Sequence, residues 1–298
     1  LAQIEAHDSS LNAYITVCAD QAREAGEKAG QDIEQGCPRG LLHGIPLALK
    51  DIYDTAGVLT TCHSKLFEHR IPLRNCDAWE RLSASGSILL GKTGTYEFAT
   101  GGPSFDLPWP PSRNPWNIDH VPSGSSSGSA AAVAAGMAFM AMGSDTGGSI
   151  RSPAGFNGLS GFKPSYGRLS RRGIFPLSWT QDHAGPLARS TEDCAIAMQV
   201  LAGYDQKDPA SVDTAVPDYL GSLNRPIKGM RVGWCTNWYE GEVDTSVEKA
   251  LVDAVATLKD LGAEIVPVEM PPIADFHACG RIIILSESYA IHRRWIAT

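Results

Sequence analysis

The sequence predicts an α/β fold with a mixed, largely parallel β-sheet whose two faces are covered by helices. Short apolar runs alternate along the chain with longer segments of helical periodicity, and Gly and Pro mark the boundaries between them. Strands that alternate with helices are typical of sheets with parallel strands. The length of 298 residues is compatible with one large α/β domain, and we expect a single domain over residues 1–298.

The first half of the chain contributes alternating helices and strands. Apolar residues recur at helical spacing in residues 1–35, until Gly36 and Pro38, which predicts one long helix. The elements predicted next are a strand at 45–52, a helix at 77–85, a strand at 87–90, a long ordered loop at 100–124, a helix at 128–135 and a strand at 137–142. The strand at 45–52 contains Lys50, although lysine is rare in buried positions.

The second half continues the alternation. Ser190 is followed three residues later by Asp193, a pattern typical of a helix N-terminus, and a helix is predicted from there to residue 203. Residues 204–228 are polar and predict a linker-like segment. The remaining predicted elements are a strand at 230–234, an amphipathic helix at 244–261, a strand at 263–268 and a helix at 273–298.

Composition argues against several classes of protein. The 33 acidic residues outnumber the 25 basic ones, and the net charge of −8 argues against direct nucleic-acid or membrane binding. No apolar run reaches the roughly 18–20 residues of a membrane span, and the first residues do not have the pattern of a secretory signal. The seven cysteines are irregularly spaced without a CxxC pair, which predicts neither disulfides nor a zinc site. We therefore expect a cytoplasmic protein without a metal ion or cofactor.

Two short motifs fit known patterns but stand in the wrong context. Gly86–Thr93 fits the GxxxxGK[ST] pattern of a phosphate-binding loop, but its interior is strand-like where a flexible loop is required. Gly124–Gly128 fits the GxSxG nucleophile elbow, which needs an apolar strand before it. Pro115 and Pro122 argue against such a strand, so both patterns are disfavoured.

Two Gly/Ser-rich runs, Ser123–Ser129 and Gly143–Ala154, lie on either side of the predicted strand at 137–142. An Ala-rich helix and a buried strand separate them, so the runs belong inside one core and a flexible linker is disfavoured. The second run offers successive backbone N–H groups at Thr146, Gly147, Gly148 and Ser149. Such a row of amides at the start of a helix suits an anion and predicts a cradle for an oxyanion.

These segments closely resemble the amidase-signature family of serine amidohydrolases. The resemblance covers roughly residues 40–200. Besides the two Gly/Ser-rich runs, it rests on Gly44–Asp51, Leu90–Thr93, Glu97–Phe98, Gly161–Arg168 and Asp182–Pro186. It implies the fold of that family and the hydrolysis of carbon–nitrogen bonds in linear amides, without a cofactor.

The resemblance also implies roles for individual residues. Ser149 is the implied nucleophile that forms an acyl-enzyme, Ser125 the proton relay and Lys50 the base, and the intervals between them agree with those of the family. Ser125 is expected in a cis peptide bond. The implied oxyanion hole consists of the backbone of the four cradle residues. The residues implied to support the cradle without reacting are Ser126, Asp145 and Arg151.

The surroundings predicted for Lys50 are compatible with its role as a base. A lysine acts as a base only when it is neutral, and burial lowers its pKa from about 10.4. Leu47, Leu49 and Ile52 provide apolar neighbours of that kind. A serine hydroxyl, in turn, becomes an effective nucleophile only beside a base.

Three functions are compatible with these motifs. The first is a stand-alone amidohydrolase that acts on a small or aryl carboxamide, which the segment Trp179–Pro186 favours. The alternative is the glutaminase-type A subunit of a Glu/Asp-tRNA amidotransferase, which hands ammonia to partner subunits. The second alternative is an inactive scaffold fragment. A small-molecule amide is the expected substrate, and a homodimer is the expected assembly of a stand-alone enzyme.

The two ends of the sequence raise a further expectation. Residue 1 is not Met, and the last predicted helix carries an apolar stretch, Ile282–Leu285, without a C-terminal capping signal. We therefore expect a fragment of a longer enzyme. Its pocket is expected to be open on one side, with an exposed apolar surface beside residues 262–298.

Overall fold

The computed structural model describes residues 1–239 and 241–296. They form two compact units: one comprises residues 1–220 and the segment that begins at Glu287, and the other comprises residues 221–286. The first unit contains a six-stranded sheet and the second a two-stranded sheet. The expectation of a single domain stays a prediction beside this division.

The six-stranded sheet positions the residues of interest. Its strands are β1 (Tyr14–Val17), β2 (Pro46–Lys50), β3 (Ile88–Thr93), β4 (Met140–Asp145), β5 (Ser160–Gly161) and β6 (His183–Ala188). They lie in the order β1-β3-β2-β4-β6-β5. β2 pairs in parallel with β3 and β4, whereas β1 is antiparallel to β3, and β6 is antiparallel to β4 and β5. Four of the six strands therefore run in one direction, as expected for a mixed, largely parallel sheet.

Nine helices accompany the two sheets in the described residues. They are α1 (Ala2–Leu11), α2 (Ala19–Glu34), α3 (Asp77–Ala84), α4 (Ser127–Ala134), α5 (Arg151–Phe156), α6 (Thr191–Leu201), α7 (Tyr219–Leu223), α8 (Thr245–Asp260) and α9 (Ile273–Ile296). Within residues 1–239 and 241–296, none of them combines the length and the apolar character that crossing a membrane requires.

Helices pack on both faces of the six-stranded sheet because side chains alternate along its strands. On β2, Leu47 and Leu49 belong to one core, which also contains residues of α3 and α6. Ala48 belongs to the other core, with residues of α1, α2 and α4. All three side chains are completely buried. The α/β fold with helices on both faces is thus confirmed.

The prediction of one helix over residues 1–35 is wrong. α1 ends at Leu11, Asn12 adopts a left-handed backbone with φ of 51°, and β1 then pairs with β3 before α2 begins. Residues 14–17 are aromatic and β-branched, which favours a strand. Their spacing also fits a helix, but pairing with β3, which is distant in sequence, determines that they form a strand.

Two further differences concern β4 and β6. β4 begins three residues later than predicted and extends to Asp145, which brings part of the second Gly/Ser-rich run into the sheet. No pattern in the sequence predicts β6. This strand contains Gly185 and Pro186, which weaken any local strand signal, yet it lies between β4 and β5.

The second unit agrees closely with the sequence analysis. β7 (Arg231–Trp234) and β8 (Glu264–Pro267) form a parallel pair, and α8 lies between them in sequence. α9 begins at Ile273, as predicted, and its large apolar side chains at Ile282 and Leu285 are exposed. Exposed apolar side chains are therefore present in the predicted region. The predicted helix end at 297–298 lies outside the described residues.

Gly128 provides a test of how tightly α4 packs on the rest of the first unit. A Cβ atom at Gly128 would lie 2.3 Å from the carbonyl oxygen of Ala13 and 2.4 Å from the amide nitrogen of Gly94, so the backbone would have to move. Gly128→Ala is expected to lower the free energy of unfolding by about 1–3 kcal/mol. Gly30→Ala, at an exposed position of α2 with nothing within 4 Å, is the control and should raise it by about 0.5–1 kcal/mol. Urea denaturation measures both, and equal stabilities would contradict the packing.

Candidate active site

Lys50 is the last residue of β2, and its side chain is completely buried. Its amine nitrogen Nζ lies within hydrogen-bond distance of three serine hydroxyls, those of Ser125 at 2.7 Å, Ser126 at 3.1 Å and Ser144 at 2.9 Å. The pairing of β2 with β4 brings Ser144, near the end of β4, to this place. Lys50 and Ser125, the base and the proton relay that the resemblance implies, are therefore in contact, and Ser144 is a further partner of Lys50 that the sequence does not indicate.

The surroundings of Lys50 favour a neutral amine. Burial lowers the pKa of Lys50 to about 7, although the carboxylates of Asp182 and Asp145 act in the opposite direction. Burial has this effect because an apolar interior cannot replace the water around an ammonium group. A neutral amine has a free lone pair. At neutral pH, Lys50 can therefore accept a proton from a neighbouring hydroxyl.

Ser125 lies just before α4, and the peptide bond between Gly124 and Ser125 is cis, as expected. The aromatic ring of Tyr96 packs directly on Gly124, where an added Cβ atom would come within 2.3 Å of the ring. A side chain at residue 124 would therefore displace that ring. The backbone N–H of Tyr96 also donates to the carbonyl oxygen of Ser125, at 3.3 Å.

Ser149 lies between β4 and α5 and is half-buried. Its carbonyl oxygen accepts a hydrogen bond from the backbone N–H of Ser126 at 3.4 Å, which places Ser149 beside the turn that carries Ser125. Among the described residues, no hydrogen bond joins the hydroxyls of Ser125 and Ser149, the proton relay and the nucleophile that the resemblance implies. Contacts between catalytic groups are often long without substrate and tighten in the reacting complex.

The carboxylate of Asp145 organises the predicted cradle. Oδ1 accepts from the N–H of Gly148 at 2.8 Å, and Oδ2 accepts from the N–H of Ile150 at 3.2 Å. Nε and Nη2 of Arg151 donate to the same carboxylate at 2.9 and 3.0 Å. Burial raises the pKa of Asp145, but the contacts with Arg151 and the backbone hydrogen bonds together outweigh it and lower that pKa below its ordinary value. Asp145 and Arg151 thus lie where supporting residues are expected.

Gly148 differs from its predicted role as an oxyanion donor. Its φ of 125° lies in the region that favours glycine, and its N–H is already bonded to Asp145. Within the described part of the chain, the cradle amides that have no hydrogen-bond partner are those of Thr146, Gly147 and Ser149. These three N–H groups are available to an anion.

A cavity of about 250 Å³ in the first unit adjoins the Lys50 cluster through Ser144. Its wall is largely apolar, with Phe175, Leu177 and Trp179 among the lining side chains. Asp182 adds a carboxylate to this wall. The cavity can therefore receive a small, partly apolar group close to the buried amine.

The two disfavoured motifs have structural explanations. Ile88–Thr93 is the strand β3, and Lys92 within it is completely buried. Nζ of Lys92 donates to the carbonyl oxygen of Tyr53 at 2.5 Å and lies 3.8 Å from the carboxylate of Asp51. The Gly124–Gly128 run follows an irregular segment, so it lacks the strand that a nucleophile elbow requires. In neither run does the backbone have the form that its motif requires.

A model of the amidase family matches residues 1–297 of the chain. Among curated relatives, the A subunit of the glutamyl-tRNA(Gln) amidotransferase of Trichlorobacter lovleyi is 45% identical over 272 residues, and the alignment covers 91% of this chain. The corresponding protein of Carboxydothermus hydrogenoformans is 43% identical over 269 residues and 90% of this chain. The chain spans 56% of the length of each relative.

Solved structures are similar over nearly the whole chain. A protein from a vestigial complex related to an s-triazine catabolic enzyme is 34% identical, with a TM-score of 0.92 and coverage of 98% of this chain and 64% of its own. The peptide amidase of Stenotrophomonas maltophilia is 36% identical, with a TM-score of 0.87 and coverage of 99% and 62%. The A subunit of the Thermotoga maritima glutamyl-tRNA(Gln) amidotransferase is 32% identical, with a TM-score of 0.85 and coverage of 98% and 62%.

The neutral state of Lys50 has a consequence for stability that needs no substrate. The pKa of Lys50 is about 7 in the folded chain, below the ordinary 10.5. Between these values the unfolded chain binds the extra proton, so the free energy of unfolding rises with pH. The difference between wild type and Lys50→Met should therefore grow by about 1 kcal/mol per pH unit between pH 7 and 10.

Urea denaturation at several pH values measures this difference. The contributions of the other titrating groups to the unfolding free energy cancel in this difference, because both proteins contain those groups. Lys65→Met, at an exposed position, is the matched control. A difference between wild type and Lys50→Met that stays constant with pH would show that Lys50 is charged in the folded chain.

Proposed function

The chain belongs to the amidase family, and from that premise we propose that its site hydrolyses a carboxamide C–N bond through an acyl-enzyme on Ser149. One observation carries the proposal: the amine of Lys50, completely buried and with its pKa lowered to about 7, lies 2.7 Å from the hydroxyl of Ser125. A buried neutral amine beside a serine hydroxyl is the arrangement that a base and its proton relay require.

In the first step, the hydroxyl oxygen of Ser149 attacks the carbonyl carbon of the amide. The proton of Ser149 passes to Ser125, whose own proton passes to the neutral amine of Lys50. The carbonyl π electrons move to oxygen, and the resulting oxyanion accepts hydrogen bonds from the free N–H groups of Thr146, Gly147 and Ser149. Fixed amide dipoles of this kind stabilise the developing charge without reorganisation.

In the second step, the tetrahedral intermediate collapses and the C–N bond breaks. The proton on Lys50 returns through Ser125 to the leaving nitrogen, which departs as an amine or as ammonia. Water then attacks the ester of Ser149 by the same route, and the carboxylic acid leaves. Each group begins and ends the cycle in the same protonation state, so no cofactor is required by this scheme.

The glutaminase-type A subunit of an amidotransferase is the better supported of the alternatives for the whole protein. The two curated relatives described above are such subunits at 43% and 45% identity, which outweighs the preference that the Trp179–Pro186 segment gives for a stand-alone enzyme. We propose glutamine as the amide and ammonia as the product that partner subunits receive. A stand-alone amidase is the second candidate because the peptide amidase is 36% identical and the cavity wall is largely apolar.

Variants of the three residues test the chemistry. Ser149→Ala is expected to abolish turnover through the acyl-enzyme and also the reaction of the nucleophile with a fluorophosphonate, which displaces fluoride and adds a phosphonyl group that is observed in the mass of the intact protein. Ser125→Ala and Lys50→Met should each lower amide hydrolysis by about 10²–10⁴-fold while the circular dichroism spectrum is unchanged. Combined variants should lose little more, because the three residues act as one unit. Near-normal turnover by Lys50→Met would contradict the assignment of the base, and an unlabelled wild type would favour an inactive scaffold.

Substrate choice separates the two candidate functions. Release of ammonia from glutamine is compared with release from a C-terminally amidated dipeptide and from benzamide, with Ser149→Ala as the background. The amidotransferase proposal predicts the highest kcat/KM with glutamine. A higher value with the amidated dipeptide or benzamide, together with loss of both activities in Ser149→Ala, would overturn that proposal and leave the chemistry intact.

A further inference from the structure

Asp182 lies just before β6 in the wall of the cavity. Its Oδ1 accepts a hydrogen bond from the hydroxyl of Thr146 at 2.6 Å. Its Oδ2 accepts from the backbone N–H groups of Leu177 and Ser178 at 2.8 and 3.0 Å. One carboxylate therefore ties the first residue of the cradle to the cavity wall.

Glu287, on α9, binds the segment between Leu177 and Asp182. Its carboxylate accepts from the backbone N–H of Thr180 at 3.1 Å and from the Thr180 hydroxyl at 2.9 Å. The hydroxyl of Ser178 donates to it as well. The segment that precedes Asp182 is thus anchored at several points, which leaves the carboxylate of Asp182 little freedom to turn away from Thr146.

Besides burial, three titratable groups affect the pKa of Lys50, and each of them raises it: Asp182, Asp145 on β4, and Cys62 in the segment between β2 and α3. Asp182 lines the same cavity as Ser144, whose hydroxyl lies 2.9 Å from the amine of Lys50. Asp145 is compensated by its ion pair with Arg151. Burial raises the pKa of the Cys62 thiol well above its ordinary value, so the thiol is neutral. Asp182 has no ion-pair partner among the residues that the structure describes.

Other charged side chains around the cavity do not compensate Asp182. Arg171 is paired with Asp208 at 3.7 Å, and Arg172 is paired with Asp205 at 2.8 Å. Burial lowers the pKa of His183, which leaves its ring neutral at pH 7. Lys207 also lines the cavity, without an ion pair to Asp182.

We propose that Asp182 is a positioning residue of the site, which fixes Thr146 in the cradle and supplies an unpaired negative charge to the cavity that adjoins the Lys50 cluster. The proposal rests on the function proposed above. A negative charge favours the protonated amine, so Asp182 opposes the effect of burial on the pKa of Lys50. A base works best when its pKa lies near the working pH. Asp182 therefore keeps the pKa of Lys50 near the working pH, where the amine can accept a proton and the ammonium group can return it.

Asp182→Asn tests the charge separately from the shape. The Asn side chain can still accept from the two backbone N–H groups, and its amide can donate to the Thr146 hydroxyl. In the wild type, kcat/KM for the best substrate should fall below a pH of about 7, where Lys50 becomes protonated. Loss of the negative charge lowers the pKa of Lys50. This acid limb should therefore move down by about one pH unit, and the plateau should fall several-fold because the base is weaker.

Three control variants accompany this measurement. Asp182→Glu restores the charge and should return the acid limb to its wild-type pH. Thr146→Val removes the hydroxyl and keeps the charge, so kcat should fall about tenfold while the limb stays in place. Glu192→Gln removes an exposed negative charge of the same unit and should change neither quantity.

A second readout does not depend on activity. The pH dependence of the unfolding free energy, compared between Asp182→Asn and the Asp182→Asn/Lys50→Met double variant, gives the pKa of Lys50 in the absence of the charge. An acid limb and a pKa that both match wild type would overturn the inference. Activity that survives Ser149→Ala would instead overturn the proposed function, so the two failures are distinguishable.

Discussion

The neutral amine of Lys50 is the constraint on which the rest of the site depends. An uncompensated ammonium group in an apolar interior is strongly unfavourable, so burial at the end of β2 lowers the pKa of Lys50 to about 7. Three hydroxyls satisfy the amine without supplying a full charge. β4 and the turn before α4 bring these hydroxyls together, and the sheet and α4 thereby fix the geometry of the base.

The role of a buried lysine depends on the groups that surround its amine, as a second buried lysine shows. Lys92 is also completely buried, but it lies 3.8 Å from the carboxylate of Asp51 and donates to Tyr53 and Thr60. A lysine with these partners is part of the structural framework. The hydroxyl of Tyr53 in turn donates to the carbonyl oxygen of Gly143, next to Ser144. Through Tyr53, Lys92 thus supports the end of β4, where Ser144 contacts the amine of Lys50.

The sequence predicts those features that a short run of neighbouring residues determines, and it misses those that depend on pairing between distant strands. Alternating helices and strands indicate the fold class, and two Gly/Ser-rich runs mark the cradle. The resemblance of contiguous motifs singles out Lys50 and Ser125, which the structure places 2.7 Å apart. β1 and Ser144 are missed because their positions depend on pairing with strands distant in sequence. The hydrogen bond from the N–H of Gly148 to Asp145 goes with the positive φ of Gly148, and the amino-acid composition does not reveal that angle.

The most direct test of this account is the titration of Lys50 itself. Lysines labelled with ¹³C at Cε are followed by NMR between pH 5 and 11, and the signal of Lys50 is assigned by its absence from Lys50→Met. We expect this signal to titrate near pH 7, because burial at the end of β2 lowers the pKa of the amine. A signal that titrates only above pH 10 would show that the buried lysine is charged, and a charged lysine cannot be the base.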